Sequence, residues 1–221
     1  MISLTRCLGD LFEVKRGIAT GNNDFFVLSP QVIEQYSIPR ELLVPLVPSP
    51  RYLSDRDIKA DTNGDPIVNK RLYLLNCGHL TINEIEFQYP TLSKYIQQGI
   101  ENKVHKGYLC SHRKPWYRLE SREPALFLLT YMGRKTSTKE NPIQFVRNQS
   151  KGICLNQYMI LYPKVSFSET QLGILWECLQ KLDLLEQKNK GRLYAGGLMK
   201  MEPSEVKNLE ILLPPNFNDC K

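Results

Sequence analysis

The apolar residues of this 221-residue chain are gathered in short runs, and this limits the architectures that it can adopt. Each run holds three to six residues between glycine, proline, asparagine, aspartate or basic residues. The runs lie at 11–14, 25–28, 72–75, 125–130, 153–155, 158–162 and 209–213. Runs of this length between turn residues are typical of β-strands. Five prolines between residues 29 and 51 exclude a long helix from that segment.

Helices are predicted at two places among these strands. Pro90 begins one, in front of apolar residues at helical spacing. The other runs from Ser168 to about Asn189, opened by a capping box of Ser168 and Gln171 and followed by Gly191. Strands and helices mix without strict alternation, so we predict an α+β fold of mostly antiparallel strands with a few helices.

Length and composition fit one folded domain. Hydrophobic residues make up 42% of the chain and charged residues 24%, which is ordinary globular usage. We predict a single domain over residues 1–221, with 105–120 as the stretch where it would divide into two lobes. No apolar window approaches the ~18 residues of a membrane span. Six scattered cysteines without a secretory signal predict free thiols and a cytoplasmic location.

The net charge of +6 comes from one segment. Residues 101–150 contain ten lysines and arginines against four glutamates, whereas bases and acids cancel in the rest of the chain. Tyrosine, tryptophan, asparagine and glutamine residues are interspersed among these lysines and arginines. Cationic side chains neutralise phosphate, aromatic side chains stack on nucleobases and amide side chains hydrogen-bond to them, so the segment favours a nucleic-acid partner.

Catalytic motifs are weak in this sequence. A DNA adenine methyltransferase needs a glycine-rich cofactor loop and an Asn/Asp-Pro-Pro-aromatic motif; no such loop is present, and the nearest string is Asn141-Pro142-Ile143-Gln144. Two short strings, Glu13-Val14-Lys15 and Glu205-Val206-Lys207, match the loose acid-x-lysine pattern of metal-dependent nucleases. The Pro-Asp dipeptide that usually carries the upstream magnesium-binding acid is absent. We therefore predict no catalytic residue in this chain.

Two Cys-x-His pairs raise the alternative of a zinc site. They are Cys77 with His79 and Cys110 with His112, and together they supply four candidate ligands. The one-residue spacing is unusual for zinc, so we predict no metal. Two further functional alternatives stay open at this point: a stand-alone metal-dependent restriction nuclease, and an RNA-binding module that uses the basic segment.

Three stretches, in order, resemble a known family. The stretch from Leu8 to Phe26, with the core Arg-Gly-Ile-x-Thr-Gly-Asn-Asn, resembles the opening of target-recognition domains in TaqI-like adenine-specific DNA methyltransferases and type IIG restriction–modification enzymes. Residues 113–120, around Trp116, are similar to the central basic stretch of those domains. Residues 194–213 resemble their C-terminal end.

The resemblance implies a C-terminal specificity domain, with the fold of that family, which recognises double-stranded DNA in the major groove. The catalytic methyltransferase domain or subunit would bind S-adenosylmethionine and flip the adenine, while this chain would hold no cofactor. Whether the chain is a fragment of a longer enzyme or a separate subunit is left open. No membrane partner is expected.

The family role and the side-chain chemistry together give a set of predicted DNA contacts. Asparagine can read adenine, threonine offers a short hydrogen-bonding group, and cations bind phosphate. We expect Trp116 to pack in the core. The predicted contacts are Arg16, Thr20, Asn22 and Asn23 in the loop 16–24, a glycine-rich loop that is unrelated to a cofactor loop, Arg113, Lys114 and Arg118 around Trp116, Arg134, Lys135 and Lys139 in a polar loop, and Arg192 and Lys200 beside Gly196-Gly197.

Overall fold

The computed structural model describes residues 4–134, 143–182, 184, 192–194 and 198–218, with only the backbone described at 192–194 and 218. The strands of these residues are β1 (Leu4–Cys7), β2 (Phe12–Arg16), β3 (Val27–Leu28), β4 (Leu43–Pro45), β5 (Asp57–Ile58), β6 (Tyr73–Leu75), β7 (Phe127–Thr130), β8 (Met132–Arg134), β9 (Phe145–Asn148), β10 (Tyr158–Pro163), β11 (Arg192–Tyr194), β12 (Leu198–Lys200) and β13 (Glu210–Leu213). The α-helices are α1 (Leu8–Leu11), α2 (Asn23–Phe26), α3 (Pro30–Gln35), α4 (Ile82–Gln88), α5 (Pro90–Glu101), α6 (Tyr108–Ser111), α7 (Glu169–Lys181) and α8 (Pro203–Lys207). None of these helices is long and apolar enough to cross a membrane.

A five-stranded sheet in the order β2-β10-β7-β9-β5 forms the centre of the fold. Its neighbouring strands are antiparallel, except that β5 and β9 run parallel. The described residues also form three smaller antiparallel sheets: β1 with β13, β3-β6-β4, and β11-β12-β8. The predicted α+β class with mostly antiparallel strands is therefore confirmed.

Both faces of the central sheet are buried. Phe127 and Leu129 of β7 point into one apolar cluster that includes residues of α7, α8 and β13, whereas Leu128 between them joins a second cluster with Tyr158 and Ile160 of β10. Side chains alternate between the two faces of a strand. A strand that is covered on both sides therefore appears in the sequence as an unbroken apolar run, as these two strands do.

A third apolar cluster lies under α2. Phe25 stacks on Tyr95 of α5 with ring centroids 4.8 Å apart, and Trp116 lies 5.1 Å from Phe25 and 6.2 Å from Phe26. The Tyr95 hydroxyl donates a hydrogen bond of 2.7 Å to the carbonyl oxygen of Phe25, and burial raises the pKa of Tyr95 to about 12. Trp116 is half-buried and packs against this cluster, as expected.

Most short apolar runs are strands, but three predictions were wrong in detail. Residues 11–14 were expected to be a strand, yet α1 ends at Leu11 and β2 begins at Phe12. Residues 25–28 begin in the helix α2, because the Asn22 side chain caps its first turn and this local hydrogen bond overrides the strand preference of the two phenylalanines. Residues 153–155 form isolated bridges to Ile18 and Leu46 and no strand.

Both predicted helices are present. Pro90 begins α5, and the Ser168–Gln171 capping box opens α7. The predicted end near Asn189 was wrong, because α7 ends at Lys181 and Leu182 has an extended backbone. Leu182 and the buried Leu184 contact the first apolar cluster.

Residues 153–158 connect the apolar clusters through backbone hydrogen bonds. The Gly17 N–H donates to the carbonyl of Tyr158 and the Ile18 N–H to that of Cys154, each at 3.0 Å. On the other side, Val47 donates to the carbonyl of Ile153 at 2.9 Å. A Cβ at Gly17 would lie 2.2 Å from the Leu155 carbonyl oxygen, so the absent side chain permits this approach within the chain itself.

Gly17→Ala is therefore expected to destabilise the fold by about 3 kcal/mol, because the added methyl group meets backbone atoms that cannot move independently. Gly173→Ala is the matched control: nothing lies within 4 Å of a Cβ there, and alanine in the middle of α7 should stabilise the protein by about 0.5–1 kcal/mol. Urea unfolding of both variants measures the difference. Equal stabilities would contradict the close approach at Gly17.

Candidate nucleic-acid interface

The glycine-rich loop between β2 and α2 is held by its own side chains. The buried Thr20 hydroxyl donates a hydrogen bond of 2.6 Å to Asn23 Oδ1 and accepts one of 3.1 Å from the Asn22 N–H. Asn22 Oδ1 accepts from the Phe25 N–H at 3.0 Å as the N-cap of α2. Gly21 has a φ of +89°, which favours glycine. Asn23 is exposed, and its amide nitrogen makes no hydrogen bond to the described residues.

The basic stretch around Trp116 contacts this loop through Arg113. Arg113 donates hydrogen bonds of 2.6 Å and 2.7 Å to the carbonyl oxygens of Thr20 and Ala19. Arg118 donates through Nε to the carbonyl of Gly78 at 2.9 Å. Lys114 is exposed. Two of the three predicted phosphate contacts in this stretch thus fix backbone within the chain, and their contact with DNA stays a prediction.

A second group of polar residues surrounds Tyr131, at the end of the central sheet. Arg16 Nη2 donates to the Tyr131 hydroxyl at 2.6 Å and forms an ion pair with Glu202, while its guanidinium carbon lies 4.4 Å from the ring centroid. Lys200 Nζ lies 3.1 Å from Glu202 Oε1 and 5.1 Å from the same ring. The structure thus brings together two predicted cations, Arg16 and Lys200, around one carboxylate.

The electrostatics of this group follow from its contacts. Tyr131, followed by Glu202, raises the pKa of the Lys200 ammonium above its usual value. Burial opposes ionisation of Glu202, but hydrogen bonds from Lys200 and Arg16 outweigh it and hold the pKa of this carboxyl below its usual value. The group therefore has two cations and one anion and a net charge of +1. Glu202 is not among the site residues predicted from the sequence, because nothing near it in the chain indicates its contact with Arg16.

Two further predicted cations, Arg134 and Arg192, belong to strands of the sheet β11-β12-β8. Register places Arg192 opposite Lys200 and Arg134 opposite Leu198, two positions along β12. The Arg134 side chain is exposed. Lys135 and Lys139 lie outside the described residues, as do Gly196 and Gly197, and only the backbone is described at Arg192.

The basic segment 101–150 does not form one uniform cationic face. Arg122 pairs with Glu120 at 2.6 Å, and Arg147 pairs with Asp57 of β5. Arg113 and Arg118 donate to backbone carbonyls, as above. Several cations that account for the net charge are therefore occupied within the fold, and a count of charge along the sequence overstates the positive surface that a partner meets.

A cleft joins the glycine-rich loop to the Tyr131 group. It consists of two adjoining cavities of about 360 and 350 Å³ that share Ser49, Arg51 and Gln157. The residues that line the first cavity include Asn23, Tyr52 and Lys70, and those of the second include Tyr131, Met132 and Asn156. A larger cavity of about 560 Å³ between α7 and β13 contains none of the predicted site residues.

Side-chain amides line this cleft along its length. Asn156 and Gln157 lie in the connecting segment 153–158, and their side chains make no hydrogen bond to the described residues. With Asn23 they provide three amide groups on the cleft wall. Asn156 and Gln157 carried no signal in the sequence, because nothing local distinguishes a cleft amide from any surface amide.

The residues named for a zinc site and for a nuclease site can each be located in the fold. Among the described residues, no group of three or more histidine, cysteine, aspartate or glutamate side chains could hold a metal ion. Cys77 and Cys110 are buried, and burial raises the pKa of Cys77 to about 12, whereas His79 and His112 are exposed. Glu13 pairs with Lys15 at 3.2 Å on the same strand, and Glu205 accepts the Glu202 N–H at 2.6 Å in the cap of α8.

Comparison with known proteins identifies the relatives of this chain. It is 28% identical over 202 residues to the type II methyltransferase M.AccI of Acinetobacter calcoaceticus, with 88% of this chain and 34% of that protein covered. It is 27% identical over 205 residues to M.XamI of Xanthomonas campestris pv. amaranthicola, with 92% and 36% covered. The chain thus spans about a third of the length of these curated relatives.

A solved structure and a family model that match this chain come from the same class of enzymes as these relatives. The fold is similar to part of the type IIL restriction–modification enzyme MmeI, solved in complex with DNA, with a TM-score of 0.54, 16% identity, and 94% of this chain and 26% of that chain covered. The family model for the C-terminal domain of type II methyltransferase M.Eco57I matches residues 3–220. The resemblance inferred from sequence motifs is confirmed, and the chain belongs to the family of C-terminal domains of type II methyltransferases represented by M.Eco57I.

Proposed function

We propose that this chain recognises a specific double-stranded DNA sequence on behalf of an adenine-specific methyltransferase or a combined restriction–modification enzyme. The observation that carries the proposal is the cleft between the glycine-rich loop and the Tyr131 group. It combines amides that match base edges with cations that match phosphates. Family membership and the similarity to an enzyme solved with DNA support this role.

The polar side chains of the cleft and of the adjoining Tyr131 group divide into those that match base edges and those that match phosphates. Asn23, Asn156 and Gln157 offer both a donor and an acceptor, which is the pattern that an adenine edge requires in the major groove. Met132 lines the second cavity and is 47% exposed, so it can contact a thymine methyl group. Arg16 and Lys200 bring a net positive charge close to the phosphate backbone and so position the duplex without reading it.

The proposal assigns the chemical step to other residues than those of this chain. S-adenosylmethionine would bind the methyltransferase catalytic domain or subunit, and this domain would be non-catalytic, because its sequence contains no glycine-rich cofactor loop. The partners are then double-stranded DNA and that catalytic unit. A cytoplasmic location belongs to the same proposal, since the DNA of a bacterial cell lies there.

Asn23→Asp should lower the ratio of specific to random DNA binding by about 5- to 150-fold, because a good side-chain contact to a base contributes about 1–3 kcal/mol of discrimination. Aspartate keeps the oxygen that accepts from Thr20, loses the amide donor and adds one negative charge. Specific duplexes are first selected from a randomised pool by the full protein. Fluorescence anisotropy then gives both affinities.

Asn22→Asp is the matched control for this experiment. It adds the same charge in the same loop and keeps the α2 cap, because aspartate and asparagine are equally good N-caps. Asn22 does not line the cleft. We expect its specificity ratio to stay within about twofold of the original protein. Equal losses in the two variants, or no loss in either, would contradict base reading by Asn23.

The chain itself should not bind S-adenosylmethionine. Calorimetric titration of the 221-residue chain with the cofactor is expected to give no saturable heat, because the residues that would cradle the cofactor are absent from its sequence. M.AccI, a methyltransferase about three times as long, serves as the positive control. Saturable binding at micromolar concentration would show that the chain contributes to the cofactor site.

A further inference from the structure

Two cations in the cleft stack on one aromatic ring. Arg51 and Tyr52 belong to a 3-10 turn over residues 50–52, and Lys70 comes from the loop before β6. Arg51 Cζ lies 4.7 Å and Lys70 Nζ 4.3 Å from the centroid of the Tyr52 ring. All three residues line the first cavity of the cleft. Two distant segments of the chain therefore place their positive charges at the same point on its surface.

These cations differ from their neighbours because they lack an acidic partner. Within the described part of the chain, neither Arg51 nor Lys70 lies within ion-pair distance of a carboxylate. Nearby cations do have one: Arg40 pairs with Asp65 at 2.6 Å, Lys59 with Asp57 at 3.0 Å and Arg71 with Asp61 at 3.2 Å.

The Tyr52 ring orders both cations without neutralising them. A cation over an aromatic face is attracted by the ring electrons, so the ring favours a defined position for each long side chain. Lys70 is also the main cause of a lowered pKa of the Tyr52 phenol, in agreement with a locally positive potential. Asp24 is the one carboxylate among the described residues that line this cavity, and Arg51 and Lys70 outnumber it.

We propose that Arg51 and Lys70, ordered on Tyr52, bind the phosphodiester backbone of DNA at the entrance of the cleft, as positioning residues for the amides beside them. This inference rests on the proposed function. Asn23 and Gln157 line the same cavity, so a phosphate held there would bring the adjoining base edges towards their amide groups. The ligand is a polyanion with regularly spaced charges, and a free phosphate lacks that spacing.

The test compares three double variants of the full protein, each checked for folding by thermal melting. Arg51→Ala with Lys70→Ala removes the proposed contact. Arg51→Lys with Lys70→Arg keeps both charges on the Tyr52 ring. Lys94→Ala with Lys106→Ala removes two exposed charges that line neither cavity of the cleft. Affinity for a selected duplex and for random duplex is measured between 50 and 200 mM salt, conditions in which phosphate contacts govern affinity.

We expect the cleft alanine variant to lose about tenfold in affinity for both duplexes alike and to reduce the salt slope by about 1.8, at ~0.9 for each lost phosphate contact. The charge-keeping variant should stay within about twofold of the original protein, as should the Lys94 and Lys106 variant. Duplexes with single uncharged methylphosphonate linkages locate the contact. At one or two adjacent linkages the substitution should weaken the original protein but not the cleft alanine variant.

Three results would overturn the inference, and they are distinguishable. If the original protein selects and binds a duplex and the cleft alanine variant matches the Lys94 and Lys106 variant, the inference fails and the proposed function stands. If millimolar inorganic phosphate competes in the original protein as strongly as random duplex does, the site takes a free anion and not the DNA backbone. If the original protein binds no duplex at all, the proposed function fails and this inference fails with it.

Discussion

The backbone of residues 153–158 is the structural element on which the candidate site depends. It accepts hydrogen bonds from Gly17 and Ile18 at the end of β2 and from Val47 after β4, and its continuation is the buried strand β10. Asn156 and Gln157 lie within it, and the Gln157 carbonyl accepts the Tyr131 N–H at 2.8 Å. One segment therefore links the apolar clusters and positions the cleft amides. Because backbone bonds hold it on both sides, these amides are supported rigidly, as discrimination between bases requires.

Self-neutralisation determines which cations are available to a partner. Arg16 and Lys200 share the single carboxylate of Glu202 and keep a net charge of +1, whereas Arg147 pairs with Asp57 and Arg113 donates to loop carbonyls. Arg51 and Lys70 have an aromatic ring in place of a carboxylate, so their charges stay available. A carboxylate shared by two cations also fixes their positions. Cations that are fixed in this way bind a DNA phosphate only where the phosphate lies at the matching position. Such an arrangement suits a domain that places base readers beside phosphate contacts.

Elements that carry a continuous signal in the sequence were predicted correctly. The capping box at Ser168 and the proline at the start of α5 act on neighbouring residues, and burial of β7 and β10 on both faces requires the unbroken apolar runs that were found. Helix α2 was missed because a single cap at Asn22 reverses the preference of the two phenylalanines that follow.

The composition of the site could not be predicted in the same way. Lys70 meets Tyr52 across 18 positions of the sequence, Arg16 meets Glu202 across 186, and Asn156 reaches the cleft only through contacts that are distant along the chain. The periodicity of apolar residues along the sequence does not indicate such long-range contacts. The predicted residues Asn23, Arg16 and Lys200 lie at the cleft or beside it, whereas Arg113 and Arg118 hold backbone. Residue type alone cannot separate a cation that binds a partner from one that supports a loop.

A crystal structure of the full protein with its selected duplex tests the central claim most directly. The account predicts that the duplex lies over the cleft, with Asn23, Asn156 or Gln157 within hydrogen-bond distance of base edges in the major groove and phosphates beside Arg51 and Lys70. A duplex bound on another face, with the cleft open to solvent, would contradict it.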